Sequence, residues 1–285
     1  MLFASMSTDP VTATGQGALV ALAALVVAAG VYFYMRSHDI YLGAVGRGII
    51  LLLGGIVSFA GMFSPVYVEH YNPPKGFPTT INGHVITAFT KATTGFEGYN
   101  ITTDPTGRGF LLGFFITIIL TSIVGLLYLL RGQVLIPLAR NAKGLSLPMI
   151  LFLVFVIIVN LFVGGLTGAA QSHFVDMLGD GKLAEQAFQY YTVTAGIGLW
   201  LLAVGIAIIV FGTYAPRKPE PIEHPGRHLA FAVLQLVANI ALVIIHPSFP
   251  TGSFLYTWLY PVLVVGIPAS VVSVAGAFFA MGGVG

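Results

Sequence analysis

Residues 190–213 read YYTVTAGIGLWLLAVGIAIIVFGT, a run without Asp, Glu, Lys, Arg or His. A helix needs roughly 20 apolar residues to cross a hydrocarbon core ~30 Å thick, so this stretch predicts a transmembrane span. Six further runs meet the same criterion, at about 17–35, 45–64, 109–130, 147–170, 229–247 and 255–281. The expected fold is therefore all-α: one integral membrane domain over residues 1–285, a bundle of about seven spans. Composition agrees, because 56% hydrophobic against 8% charged residues leaves too little polar surface to coat a water-facing globule.

Charge sets the expected orientation. Connections after the first, third and fifth spans hold Arg36, Arg47, Arg131, Arg140, Lys143, Arg217, Lys218 and Arg227. The opposite side holds only Lys75, Lys91, Arg108 and Lys182, so the cation-rich side is inside. That puts the N-terminus outside, the C-terminus inside, and the chain in the cell membrane. Met1–Gly17 contains Asp9 and no Lys or Arg, so the first hydrophobic run reads as a retained helix and not a cleaved signal. With a net charge of +2, the chain lacks the basic patches that nucleic acid requires. The partners expected are the lipid bilayer and other membrane subunits.

Two outer connections are long enough to carry structure. In the first, residues 65–108, Val85, Ile86, Phe89 and Phe96 fall near helical spacing after Asn82, which predicts a short surface helix or else an irregular lid. The same loop carries an acceptor triplet for N-glycosylation at Asn100. In the second, Asp180-Gly181 breaks the chain, and 182–188 reads as one or two helical turns leading into the fifth span. The last span contains Pro261 and Pro268, which predict a bend or serve packing. A weak echo relates Gly46-Arg47 through His70 to Gly226-Arg227 through His246, the pattern a parallel duplication would leave.

With Arg47 counted in a connection, the span interiors are expected to hold no permanent charge. That argues against an ion-coupled pump, which places such groups in the membrane, and the absence of Lys from the seventh span excludes a retinal Schiff base. Interior polarity falls on Asn160 in the fourth span and on Gln235 and Asn239 in the sixth, the last two sharing a helical face with His246. Such amides commonly bond neighbouring helices, and they would also line a path for a neutral solute. Gly164/Gly168 and the set Gly54, Gly55 and Gly61 predict close helix approach. On the inner side Pro225 and Gly226 are expected to place His224 before the sixth helix starts, and Pro216, Pro219, Pro221 and Pro225 suggest a stiff extended connector.

Four histidines, His70, His84, His173 and His246, are expected at the outer surface, where imidazoles would ligate copper or haem iron. No two have a tight ligand spacing, and interfacial His also bridge apolar and wet regions without a ligand. The chain has no Cys, hence no disulfide and no thiolate-held metal or cluster, and it has no phosphate-binding loop, dinucleotide fingerprint or HExxH. The leading functional expectation is an integral subunit of a larger respiratory or redox membrane complex, not catalytic on its own. The alternatives are a channel or uncoupled transporter for a small neutral solute, and a haem- or copper-binding redox subunit using the outer histidines.

Overall fold

The computed structural model describes residues 10–97, 105–131, 181–216, 225–251 and 266–281, with isolated positions between these blocks. The elements in chain order are α1 (Pro10–Ser37), α2 (Ala44–Phe63), β1 (Pro65–Tyr71), β2 (Thr80–Ile81), β3 (His84–Val85), β4 (Phe89–Thr94), α3 (Pro105–Arg131), α4 (Lys182–Phe188), β5 (Tyr191–Ala195), α5 (Ile197–Tyr214), α6 (Pro225–Ile245), a 3-10 turn (His246–Ser248) and α7 (Ile267–Met281). The fold is mostly helical. Among the described residues, three helical segments are long and apolar enough to cross a membrane: Ala44–Phe63, Ile197–Tyr214 and Gly226–Ser248. Shorter apolar stretches run over Leu22–Ser37, Phe115–Leu130 and Ile267–Phe279. The predicted span at 147–170, with Asn160, Gly164 and Gly168, lies outside the described residues, as do His173, His224, Asn100 and Pro261. Pro268 stands at the second residue of α7, directly after the π-helical Gly266.

The tightest packing is around α2. Its glycine face meets α5 on one side, where a side chain at Gly54 would press on Ile209 and the Gly205 carbonyl, and one at Gly61 on Leu202 and the Gly198 carbonyl. Gly55 faces Ser122 of α3 on the other side. Small residues thus let backbones approach as their pattern predicts, and Leu51, Ile118, Leu202, Ile206 and Ile209 fill the rest of this core.

Three expectations are corrected. The outer segment is not helical over residues 82–94; among the described residues after Asn82 a helix begins only at Gly95. Asn82-Gly83 is the two-residue turn of the β2–β3 hairpin, both residues having positive φ (48° and 84°), the geometry for which Asn-Gly is suited. The apolar residues do not share a face either: Ile86 is buried while Val85 and Phe96 are exposed. Instead β1 sits between β4 and β5 in an antiparallel three-stranded sheet, so the architecture is not all-α. Second, the fifth helix begins at Ile197, seven residues later than predicted, because Tyr191–Ala195 is the strand β5. The consecutive β-branched residues Thr192, Val193 and Thr194 fit a pleated, half-buried surface better than a helix start.

The third correction is Arg47, which belongs to the first turn of α2 and is buried. Its guanidinium donates to the carbonyls of Gly212 (2.7 Å), Thr213 (3.1 Å) and Ala215 (2.8 Å) at the end of α5. The interior is therefore not free of permanent charge. It is tolerated because the cation meets the negative end of a helix dipole and satisfies carbonyls that have no helical donor. One smaller reading holds, since α4 covers Lys182–Phe188, while α6 runs from Pro225, four residues before the span expected at 229. The arms of the sequence echo end differently, one in β1 and the other in a 3-10 turn.

Candidate functional site

Strand β1 follows α2 after a single residue, and β5 precedes α5 across Gly196, so the sheet is set directly on two helix ends. The joint is close. Gly196 N–H donates to the Val66 carbonyl (2.9 Å), and Gly198 is packed against the carbonyls of Ser64 and Pro65. Alternation along β1 then gives the sheet two chemically different faces.

One face is aromatic and covered. Tyr71 and Tyr191, paired across the strands, join Phe174, Ile81, Ile86, Leu178, Ala184 and Ala187 in a buried cluster, which brings α4 and the hairpin against the sheet. Tyr191 stacks on Phe174 with centroids 4.0 Å apart and an interplanar angle of 3°. Its hydroxyl donates to Glu69 Oε1 at 2.6 Å, a short bond to an acid that sits opposite Lys91 on β4. Burial, followed by the hydrogen bond and the negative field of Glu69, pushes the Tyr191 phenol far above its ordinary value, and burial raises Tyr71 as well.

A pH dependence follows. Below about pH 10 both folded and unfolded chains keep the Tyr191 proton and the stabilisation is complete. Above it the unfolded chain ionises first, so stability declines as pH rises toward the higher folded value. Tyr191→Phe is expected to lower stability by about 1–2 kcal/mol at neutral pH, from the lost bond, and to flatten the alkaline decline. Unfolding midpoints of the full chain at pH 8 and pH 11 check this. Equal alkaline losses in both proteins would show that Tyr191 does not titrate with unfolding.

The other face is polar and open. His70 lies between Thr90 on β4 and Thr192 on β5, and these three line a cleft of about 590 Å³ together with Asn72, Ala88 and Thr194. His70 Nδ1 is 3.1 Å from Thr90 Oγ1, which orients the ring. Hydroxyl, amide and imidazole groups at this face can hydrogen-bond a polar ligand or a partner surface. At the far end of β4, Thr94 and Glu97 form a reciprocal capping box: Thr94 N–H donates to Glu97 Oε2 (2.8 Å) and Glu97 N–H to Thr94 Oγ1 (3.1 Å). Those bonds hold the Glu97 carboxyl below its usual range.

The described histidines do not converge. His84 is exposed on the β2–β3 hairpin, whereas His246 is buried in the turn after α6, its Nε2 3.1 Å from the Tyr256 carbonyl and its ring over that of Tyr256. Among the described residues, no three His, Cys, Asp or Glu stand together as a metal site. Of the interior amides, Asn239 donates to the Gly266 carbonyl (3.0 Å) and to Ser270 Oγ (2.9 Å), tying α6 to α7, and Gln235 is half-buried one turn earlier. Asn239→Leu is expected to weaken that helix pair by about 1 kcal/mol, read as a small drop in the thermal midpoint. An unchanged midpoint would mean the amide contributes nothing net.

Sequence reasoning missed Arg47, Glu69 with Tyr191, and the Thr94–Glu97 box. Only the last has a local signature, Thr-x-x-Glu; the others depend on partners more than 100 residues away. Compared with known proteins, the chain matches no protein-family model, no curated protein and no solved structure.

Proposed function

We propose that the chain is an integral subunit of a larger membrane complex of the respiratory or redox type, crossing the cell membrane about seven times with its N-terminus outside. In this reading the helices fix an outer sheet at a set height above the bilayer, and the polar face of that sheet meets the neighbouring subunit. The observation that carries it is the joint between sheet and helices. Strands that follow helices with one residue of slack make a rigid platform, which suits docking. Outer imidazoles and stacked aromatics favour a redox setting for the assembly. The channel reading has less behind it, since the Asn239 amide is occupied by α7.

Purification of the full chain from its native membrane in mild detergent tests the proposal. A stoichiometric assembly well above 30.1 kDa is expected. A lone, colourless protein would overturn it, and metal analysis with visible spectroscopy of the assembly tests the redox setting.

A further inference from the structure

The aromatic face of the sheet holds two buried tyrosines in unlike surroundings. Tyr71, 1% exposed, has a hydroxyl with no hydrogen-bond partner, whereas Tyr191, 2% exposed, donates to Glu69 Oε1 at 2.6 Å. Tyr41 also donates to a carboxylate, but at 3.2 Å and on the surface. Tyr191 therefore combines a ring withdrawn from solvent with a short bond to a carboxylate. Phe174, stacked on it at 4.0 Å, fixes the ring so that the hydroxyl stays aimed at Oε1.

Those are the conditions for removing one electron from a phenol without stranding its proton. The oxidised phenol is strongly acidic, and it becomes a neutral phenoxyl only if a base lies within hydrogen-bond reach, about 2.6–3.2 Å between heavy atoms. Tyr191 has that base and Tyr71 does not. Burial and the field of Glu69 hold the proton on Tyr191 beforehand, so it leaves with the electron and not ahead of it. A charge stranded inside the cluster would be costly, and the transfer leaves instead a neutral phenoxyl beside a neutral acid. The strand also sets the site at a boundary. Tyr191 faces the aromatic side, but Thr192, the next residue of β5, lines the polar cleft with His70 and Thr90, so one layer of backbone separates the phenol from a subunit docked there.

We infer that Tyr191 and Glu69 form a one-electron relay site that serves a metal centre of the neighbouring subunit. The inference rests on the redox reading of the complex for its oxidant. In the forward step Tyr191 gives one electron to the oxidised metal centre, which is reduced by one. The phenol O–H bond breaks, an O–H bond forms at Glu69 Oε1, and the neutral phenoxyl stays stacked on Phe174. A lower-potential centre of the same assembly then returns one electron, and the proton goes back from Glu69 to Tyr191.

The test uses the full chain in mild detergent with hexachloroiridate(IV), a one-electron oxidant that needs no partner subunit. Freeze-quenched samples are read by electron paramagnetic resonance, and the phenoxyl signal that survives once radicals on exposed tyrosines have coupled is measured. A persistent phenoxyl is expected in wild type, because a buried ring cannot meet that of another molecule. Tyr191→Phe should lower it by about tenfold or more. Glu69→Gln keeps an acceptor oxygen but no base, and should lower it comparably, since a positioned base contributes about 10²–10⁴-fold to proton transfer. Tyr71→Phe should leave it unchanged. Circular dichroism checks folding, and Glu69→Gln carries the test if Tyr191→Phe does not fold. A signal unchanged in Tyr191→Phe or in Glu69→Gln, or none in folded wild type, overturns the inference. So does an equal loss in Tyr71→Phe, which would put the radical elsewhere in the cluster. A native assembly free of metal and haem would instead overturn the redox reading of the complex, while the iridate result on the chain alone still decides whether the site is redox-active.

Discussion

Replacing Arg47 by Met is expected to destabilise the full chain by about 3 kcal/mol or more, measured as the thermal midpoint in detergent followed through Trp200 fluorescence. Three carbonyls at the end of α5 take their bonds from this guanidinium, and its planar fork reaches all of them at 2.7–3.1 Å. The Tyr128 ring supports it from below at 5.9 Å. Met would fill similar volume but leave the acceptors without these donors at a buried position, each omission costing about 1–3 kcal/mol. Lys keeps the charge and loses the fork, so Arg47→Lys should fall between wild type and Met. A Met variant as stable as wild type would show that those carbonyls find other donors. An arginine inside a membrane-spanning segment is ordinarily read as a transport or sensing group. Here its bonding is that of a helix cap.

Gly205→Val is expected to be more damaging still, above about 3 kcal/mol, and to deplete folded protein in the membrane fraction. A side chain at Gly205 would press on Ser58 Oγ, come within 2.6 Å of Ser58 N and within 2.9 Å of the Gly54 carbonyl. Two of those atoms are backbone, so relief requires α2 and α5 to separate along their length, beyond the about 1–3 kcal/mol of an ordinary overpacked core. Gly30→Ala is the control. Nothing lies within 4 Å of a Cβ there, and Ala should match or exceed wild type by up to about 1 kcal/mol, since Gly is the poorer helix former. Equal expression and midpoints for Gly205→Val and Gly30→Ala would refute the close α2–α5 contact.

What could be read from residues alone was the part governed by local chemistry. Long apolar runs gave α2 nearly to the residue and α6 with a start four residues late, and the Gly54, Gly55 and Gly61 set announced close contact without naming the partners. The Lys182–Phe188 helix was equally local, set by a glycine break and good helix formers. The sheet was hidden because Pro65–Tyr71 has strand composition, Val and Tyr in alternation, but stands at the end of a span where aromatics already have an interfacial explanation. Asn82-Gly83 carried the hairpin signal outright and was outweighed by an apolar spacing that proved accidental. Arg47 was misplaced for a different reason: a cation near a predicted boundary is assigned to water unless a carbonyl-rich helix end waits for it, and that helix end lies 165 residues away. The polar cleft shares this difficulty, since His70, Thr90 and Thr192 are brought together only by the strand register.

The strand order also governs when the molecule can be completed during synthesis. β1 meets β4 after an intervening stretch of fewer than 20 residues, but its other edge waits for β5, which begins at Tyr191. Until the ribosome has delivered that segment, β1 carries a row of unpaired amides and carbonyls, and α2 an unfilled glycine face. Arrival of β5 and α5 closes both at once, so a nascent chain stalled before residue 195 presents a sticky strand edge and a glycine helix face still awaiting its mate. Residues 191–214 are the segment whose arrival ends that exposure.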